Sequence, residues 1–551
     1  MALIMNFGLP SMKTSRGPSA ENPYVHLSSL DKENRILKRN VELVSSSRAR
    51  DNSYSRSVTK CLKGVAFPGP DVLQNLVNGT ILPDPLIPQT QQISRKDFPT
   101  DFKFGCSTSA LQTESSPSEG GRGPSTWDFM IGTNQIAVDS YHKYKEDVEV
   151  LKKMGADTYR FSISWSRILP DGTVSGGINQ EGIDFYNNLI NELIKNGITP
   201  FVTLFHFDLP TALQNKYNGF LDSRIADDFK AYADICFKTF GDRVKYWITI
   251  NEPQVFAQYG YVQGLKISDD RVKYPFLAMH NIILTHATAF KHYKENYQAT
   301  QKGEIGISLV TEWFLPSDES RPNRAAAERA FDFLTGWILE PLVYGDYPFI
   351  MKALVRDVLP TFTDAQKQLV KGSHDFIGVN YYTSRYATDS PIVPNETYTS
   401  YDQYQHVLEN VDNNGKPIGL QSPGNTAIYV YPQGLGDILE YINREYGQPK
   451  IYITENGYPE KRDDSIPVET ALKDDARIQH IITHLQSVSR ALKNGANVKG
   501  YIMWALMDCL EVGSAYTVRY GLNYTDYLNN LNRIPKKSSQ WFQSTFLKGS
   551  N

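Results

Sequence analysis

The sequence predicts an α/β chain that folds as a single (β/α)8 barrel behind a disordered N-terminal extension. From about residue 100 onwards, short β-branched apolar segments alternate with longer segments whose apolar residues recur at spacings of three and four. The short segments are typical of buried strands and the longer ones of amphipathic helices. Eight such repeats in succession indicate a closed parallel barrel, which forms one domain despite its length.

Eight segments are predicted as barrel strands because each is short, apolar and bounded by polar or turn-forming residues. In chain order they are Phe102–Ser107, Thr158–Trp165, Thr199–His206, Tyr246–Asn251, Glu304–Thr311, Phe376–Tyr381, Lys450–Thr454 and Gly500–Leu506. Predicted helices between them include Tyr141–Met154, Gly182–Asn196, Ile225–Phe240 and Leu277–Tyr297. An open doubly wound sheet is the alternative. It is less favoured because no glycine-rich phosphate loop follows the first strand.

The N-terminal region differs in composition from the rest. Residues 1–60 are rich in Ser, Lys and Arg and lack the continuous apolar segment of a secretory signal, so a transit peptide is predicted. A plain disordered tail is the alternative. Residues 61–95 are interpreted as a linker or surface strap, and 96–551 as the barrel domain. Asn78, Asn395 and Asn523 begin glycosylation sequons, which matter only on the alternative route through the secretory pathway or vacuole.

Composition narrows the possible partners. The chain has 551 residues, of which 40% are apolar, and a net charge of −3. This charge argues against nucleic acid as a partner, and the lack of a long apolar segment argues against a membrane span. Four scattered cysteines show no metal-ligand or CxxC spacing, so no metal and no cofactor are predicted. A small-molecule ligand is expected, and a homo-oligomer is compatible with the sequence.

Two glutamates are the most informative residues. Glu252 lies in Trp247–Pro253 and Glu455 in Ile451–Gly457, and each follows a β-branched apolar segment. Both therefore should end a buried strand at the carboxyl face of the barrel, where catalytic groups collect. A single such Glu is more often a salt-bridge partner. Two of them, on opposite walls of one barrel, match the acid and nucleophile that cleave a glycosidic bond.

Other polar residues lie at or after the ends of the predicted strands, apart from Arg160, which lies within the second strand. They are Gln112, Arg160, His206, Asn251, Asn380, Tyr382, Trp504 and Glu511. Taken singly, each has a plainer interpretation: a loop residue for Gln112, a core histidine for His206, packing for Trp504 and a structural ion pair for Arg160. Their common position favours a shared site.

From about residue 95 the chain resembles the plant β-glucosidases of glycoside hydrolase family 1. Thr249–Pro253 resembles the family's acid/base motif and Ile453–Gly457 its nucleophile motif, and Tyr159–Arg167 and Gly378–Tyr382 match as well. The N-terminal extension resembles that of the plastid-targeted defence β-glucosidases. The resemblance implies a plastid, specifically chloroplast, location and a hydrolase that releases glucose from a specialised-metabolite glucoside in defence.

The resemblance also implies a role for each site residue. Glu455 would be the nucleophile and Glu252 the acid/base, with carboxyl groups about 5–5.5 Å apart. Arg160 and Tyr382 would keep Glu455 ionised, and Asn251 would hold the sugar 2-hydroxyl. The remaining sugar contacts would come from Gln112, His206, Asn380, Trp504 and Glu511.

Two departures from the family pattern concern specificity. Val512 stands where a Trp usually follows the residue matching Glu511, and Ala427 stands where a Trp often forms the aglycone platform. Altered sugar selectivity and a bulky aglycone, such as a steroidal or terpenoid one, are therefore predicted. The alternatives are a transglucosidase that uses the same glycosyl-enzyme and a weakened relative that only binds carbohydrate.

Overall fold

The computed structural model describes residues 93–114, 119–128, 137–264, 270–393 and 396–548. The predicted transit peptide, residues 1–60, and all but the last three residues of the predicted linker, 61–95, lie outside this part of the chain. So do the sequons at Asn78 and Asn395. These assignments remain predictions.

Eight parallel strands close into a barrel, so the predicted (β/α)8 class is confirmed. The strands are β1 (Lys103–Ser107), β2 (Thr158–Ser162), β3 (Thr199–Phe205), β4 (Tyr246–Asn251), β5 (Glu304–Pro316), β6 (Phe376–Asp389), β7 (Ile451–Glu455) and β8 (Val498–Trp504). Neighbours along the chain pair in order, β8 pairs with β1, and β6 pairs with β7. No edge of this sheet is left open between β1 and β8, which rules out the open doubly wound alternative.

Helices surround the barrel. The main ones are α1 (Ser140–Met154), α2 (Gln180–Lys195), α3 (Ile225–Phe240), α4 (Tyr274–Asn296), α5 (Arg321–Phe331), α6 (Pro432–Glu445) and α7 (Asp475–Lys493). Shorter helices are Ala110–Thr113, Trp165–Ile168, Thr211–Tyr217, Pro253–Val255, Gln298–Gln301, Trp337–Tyr344, Phe349–Val355, Asp364–Val370, Val468–Ala471 and Lys537–Trp541. Each long helix buries the apolar residues that recur at its helical spacing.

Only β4 has the predicted bounds; β1, β3, β7 and β8 differ from them by one or two residues, and β2, β5 and β6 differ by more. β2 ends at Ser162 rather than Trp165, because Trp165 begins a short helix and packs its ring on Tyr232 of α3. β5 and β6 run past their predicted ends because they continue to pair with each other as far as Pro316 and Ala387. This extension, together with a strand at Val407–Asn410 that pairs antiparallel with β6, raises one wall of the barrel mouth.

An apolar layer fills the lower part of the barrel and positions the site above it. Phe201, Ile248, Phe376, Tyr452 and Ile502 come from five strands and form one buried cluster. Following these strands towards their carboxyl ends, the inward side chains become polar. The barrel therefore has a packed base and a polar mouth, as parallel (β/α)8 barrels do.

The structure also shows the surroundings of the Asn523 sequon, the state of three cysteines and the character of the helices. Asn523 is fully buried and its Nδ2 donates to the Leu506 carbonyl at 2.7 Å, so in the folded chain it cannot accept a glycan. Cys106, Cys236 and Cys509 are free and buried. Among the described residues, no helix is long and apolar enough to cross a bilayer.

Candidate active site

Two buried glutamates lie at the carboxyl ends of β4 and β7. Glu455 is the last residue of β7, and Glu252 directly follows β4. Glu252 has a left-handed backbone with φ of 42°, and its N–H donates to the Ser308 carbonyl at 2.8 Å. A non-glycine residue held in this region is strained, and such strain is concentrated at functional sites.

Glu455 is surrounded by donors. Arg160 Nη1 lies 2.5 Å from its Oε1, and the Tyr382 hydroxyl donates to its Oε2 at 2.7 Å. Both predicted contacts are thus present. Burial by itself raises the pKa of Glu455, but the Arg160 charge and hydrogen bond outweigh it and hold that pKa below its usual value. Glu455 is therefore an ionised carboxylate held in a fixed orientation.

Glu252 has the opposite character. Burial raises its pKa, and the negative charge of Glu455 raises it further. Asn380 Nδ2 donates to Glu252 Oε1 at 3.0 Å and to Asn251 Oδ1 at 3.1 Å. Asn251 Oδ1 also accepts from Arg160 Nη2 at 2.5 Å. One continuous hydrogen-bond network therefore joins Glu252 to Glu455.

This pair can do acid–base and nucleophilic chemistry. One carboxyl is kept ionised and the other favours its protonated form, which is the division of roles that glycosidic cleavage requires. The carboxyl separation of about 5–5.5 Å expected for a retaining enzyme remains a prediction.

The structure brings four of the predicted sugar-binding residues together beside this pair. Glu511 accepts from Gln112 Nε2 at 3.3 Å and lies 3.3 Å from Trp504 Nε1. The rings of His206 and Trp504 stack with centroids 5.8 Å apart. Burial lowers the pKa of His206 to about 3, so its ring is neutral, and its Nε2 lies 3.3 Å from Asn251 Nδ2. The group offers hydrogen-bonding atoms and an indole face, which suits a sugar ring.

The two residues predicted to affect specificity, Val512 and Ala427, are described by their burial and their neighbours. Val512 is buried, next to Glu511, whose pKa burial raises to about 8. Ala427 is also buried, and its carbonyl accepts from Arg385 Nη2 at 2.9 Å. The predicted effects of these two residues on specificity remain predictions.

Residues next to the glutamates contribute contacts that the sequence reasoning did not single out. Thr454 Oγ1 donates to Asn380 Oδ1 at 2.6 Å, which fixes the Asn380 amide. Asn456 Nδ2 donates to the Tyr381 carbonyl at 2.7 Å, and His480 Nε2 lies 3.0 Å from Asn456 Oδ1. Thr454 and Asn456 are the sequence neighbours of Glu455, so the sequence could have indicated them. His480 lies on α7, far from both glutamates in the sequence, and nothing in its local sequence indicates it.

No metal-binding group is present among the described residues, since nowhere do three His, Cys, Asp or Glu side chains gather so that they could hold an ion.

Known proteins resemble this chain over nearly its whole described length. The family model for glycosyl hydrolase family 1 matches residues 94–549. Beta-glucosidase 12 of Oryza sativa subsp. indica is 49% identical over 479 residues, 83% of this chain and 94% of its own. Furostanol glycoside 26-O-beta-glucosidase of Hellenia speciosa is 47% identical over 522 residues, 91% of each chain.

Solved structures agree. The crystal structure of the rice Os3BGlu6 beta-glucosidase superposes with a TM-score of 0.80 at 40% identity, covering 83% of this chain and 99% of that one. The shared fold and the family match span both glutamates and every polar residue of the site. The chain therefore belongs to glycosyl hydrolase family 1 and is a glycosidase that hydrolyses β-glucosidic bonds.

Proposed function

We propose that this protein is a retaining β-glucosidase that acts by double displacement on the O-β-glucoside of a plant specialised metabolite. The observation that carries the proposal is the opposite protonation of two linked carboxyl groups. Arg160 and Tyr382 stabilise the anionic form of Glu455, whereas burial and the charge of Glu455 favour the acid form of Glu252.

In the first step, a carboxylate oxygen of Glu455 attacks the anomeric carbon. The bond from that carbon to the aglycone oxygen breaks, and Glu252 transfers its proton to the departing oxygen. In the second step Glu252 removes a proton from water, the water oxygen bonds to the anomeric carbon, and Glu455 leaves as a carboxylate. Loss of the charge of Glu455 during the first step lets the pKa of Glu252 fall, which suits its change from acid to base.

Asn251 is proposed to hold the sugar 2-hydroxyl. Its Oδ1 already accepts from Arg160 and Asn380, and its Nδ2 lies 3.3 Å from His206 Nε2, so the second N–H of Nδ2 is the group proposed to donate to the sugar. Such a bond strengthens as positive charge develops on the ring in the transition state. Glu511 and Gln112 are proposed to bind hydroxyls farther round the ring, and the Trp504 indole its apolar face.

The proposed substrate carries a bulky aglycone, steroidal or terpenoid, and its hydrolysis is proposed to serve defence. A relative that is 47% identical is named for a furostanol glycoside, which supports a large aglycone. Ala427, where the family often has Trp, removes a flat platform and points in the same direction.

The mechanism is tested by Glu455→Gly. We expect release of nitrophenol from a nitrophenyl β-glucoside to fall to background. Added azide should restore part of this release, with α-glucosyl azide as the sugar product, because the small anion attacks in place of the missing carboxylate. With the unmodified protein, NMR should show β-glucose as the first product, and an added alcohol will reveal any transfer to that acceptor. Release of α-glucose first would exclude retention.

A plastid location is proposed on the composition of residues 1–60. A fluorescent protein fused to residues 1–60 should enter chloroplasts, while a fusion to residues 96–551 should not. Entry of the full-length fusion into the secretory pathway or vacuole instead would overturn this location and make the sequons at Asn78 and Asn395 relevant.

A further inference from the structure

A cavity of about 430 Å³ is lined by residues that neighbour the proposed acid in sequence or in strand register. One wall comes from β5, where Val310 and Glu312 both line the cavity on either side of Thr311, at which the strand register shifts. Val310 is the register partner of Asn380, whose amide donates to Glu252, and Val255 lies three residues after Glu252. Val255 and Val310 thus tie the cavity lining to the elements that carry the proposed acid and its hydrogen-bond partner.

One side of the cavity is an apolar floor made of Val255, Val310, Phe333 and Leu334. This floor is held in place by the buried Gln254, whose Nε2 donates to the carbonyls of Val310 and Leu334, both at 3.1 Å. Because these two carbonyls belong to different elements, the bridge fixes their spacing. The floor is thus a built surface suited to a rigid hydrocarbon frame.

The other side is acidic. Glu312, Asp402 and Glu409 line it, and the described lining residues include no Lys or Arg. Glu312 is only 7% exposed, so its carboxyl group is held at the cavity with little contact with bulk water. Among the described residues its ion-pair partner is Arg385, whose Nε lies 3.6 Å from Oε2. Burial raises the pKa of Glu312, and burial together with the charge of Glu312 raises the pKa of Glu409 to about 7, so a bound cation would favour the ionised form of both carboxyl groups.

Two aromatic residues, Tyr259 and Tyr401, are also among the lining residues. Aromatic faces beside carboxylates are the usual surroundings of a bound ammonium group, which gains both cation–π and ionic attraction. The volume lies within the range of about 300–1,000 Å³ that drug-sized ligands occupy.

We propose, building on the function proposed above, that this cavity receives an aglycone in which an apolar ring system carries a protonated amine. The ring system lies on the floor formed by Val255, Val310, Phe333 and Leu334, and the amine faces Glu312 and Glu409. Among the bulky aglycones proposed above, this favours those that carry a protonated amine.

Binding to the full-length protein tests the proposal independently of turnover. Tryptamine and its neutral isostere tryptophol are compared by calorimetry. We expect tryptamine to bind about fivefold or more tightly than tryptophol, with a preference that weakens as salt is added. Glu312→Gln and Glu409→Gln should each shrink this ratio towards one. Glu469→Gln, an exposed carboxylate outside the cavity, is the matched control and should leave the ratio unchanged.

Equal affinities for the two compounds, or a ratio untouched by both cavity variants, overturn the proposal. If buried Glu312 proves essential for folding, the exposed Glu409 still decides the question. Turnover of a nitrophenyl β-glucoside by the same preparations tests hydrolysis separately. Turnover without a preference for the amine removes only the cavity assignment, whereas a preference without turnover removes the proposed hydrolytic function.

Discussion

Arg160 reaches from β2 across the barrel to Glu455 at the end of β7, with Nη1 2.5 Å from Oε1 and both side chains 1% exposed. Its other terminal nitrogen, Nη2, lies 2.5 Å from Asn251 Oδ1 beside Glu252. A single guanidinium thus sets the charge of the nucleophile and the orientation of the amide next to the acid. Only a planar, forked donor can do both at once.

We predict that Arg160→Met lowers kcat/KM on the order of a hundredfold or more and moves the acidic limb of its pH profile upwards. Glu455 must be ionised to attack, so activity is lost as the pH falls through its pKa. Arg160 holds that pKa below its usual value, and removing the charge raises it. The measurement is kcat/KM across pH with a nitrophenyl β-glucoside.

Arg167→Met is the matched control for that variant. Arg167 is an equally buried arginine that pairs with Glu114 at 2.9 Å and does not contact either catalytic glutamate. The Arg167→Met variant should have reduced thermal stability, and the acidic limb of its pH profile should not move. An unmoved limb in Arg160→Met would show that Arg160 serves only the fold.

Glu252→Gln should make the rate depend on the leaving group. The amide cannot give up a proton, so alkyl β-glucosides, whose leaving oxygen needs protonation, should lose about 10²- to 10⁴-fold in kcat/KM. Dinitrophenyl β-glucoside departs without assistance and should lose much less. The slope of log kcat/KM against leaving-group pKa is the measurement, and a uniform loss across the series would contradict the acid role.

Glu511→Gln should increase stability more at high pH than at low pH. Burial raises the pKa of Glu511 from 4.5 to about 8, so the folded state binds a proton that the unfolded state has lost between these values. Stability from this group is therefore full below pH 4.5 and is lost as the pH rises to about 8. The neutral amide of Gln removes this dependence of stability on pH, so the free energy of unfolding should rise by an amount on the order of 2–4 kcal/mol at pH 8. Melting temperatures at pH 5 and pH 8 measure it, and an equal change at both would contradict the assignment.

Val512→Trp should sharpen sugar selectivity. If the new indole donates to a glucose hydroxyl, kcat/KM for glucosides should rise about ten- to hundredfold relative to fucosides, since one such bond contributes about 1–3 kcal/mol. Val512 is buried, so Val512→Phe, which adds bulk without a donor, separates crowding from hydrogen bonding. Identical glucoside-to-fucoside ratios in the two variants would remove the donor explanation.

Ala427→Trp should favour flat, small aryl glucosides over bulky ones. A Trp at this position would restore the platform that the family often has, and kcat/KM for nitrophenyl β-glucoside should rise while that for a steroidal glucoside falls. Ala427→Leu, which adds bulk without a flat ring, is the control. Equal turnover of small aryl glucosides before and after the change to Trp would count strongly against the predicted aglycone.

The network around Glu252 and Glu455 shows how far the sequence predicts the site. Both glutamates could be identified because each stands at a strand end in a distinctive local sequence, and Arg160 and Tyr382 because they lie in segments that resemble those of the family. His480 could not, because its contact with Asn456 depends on how α7 packs against β7. Helix packing is a long-range property, and nothing in the residues next to His480 records it.

By itself, the sequence determined the barrel, the two carboxyl groups and their strand ends, since strand periodicity and polar strand ends are local features. Only the tertiary structure decided which hydrogen bonds link Glu455 to Glu252 and which side chains gather at the cavity. Glu312 and Glu409, far apart in the chain, meet at one cavity because β5 and β6 extend together and carry the strand Val407–Asn410 beside them. Charge and burial depend on neighbours in space, and those neighbours exist only once the chain has folded.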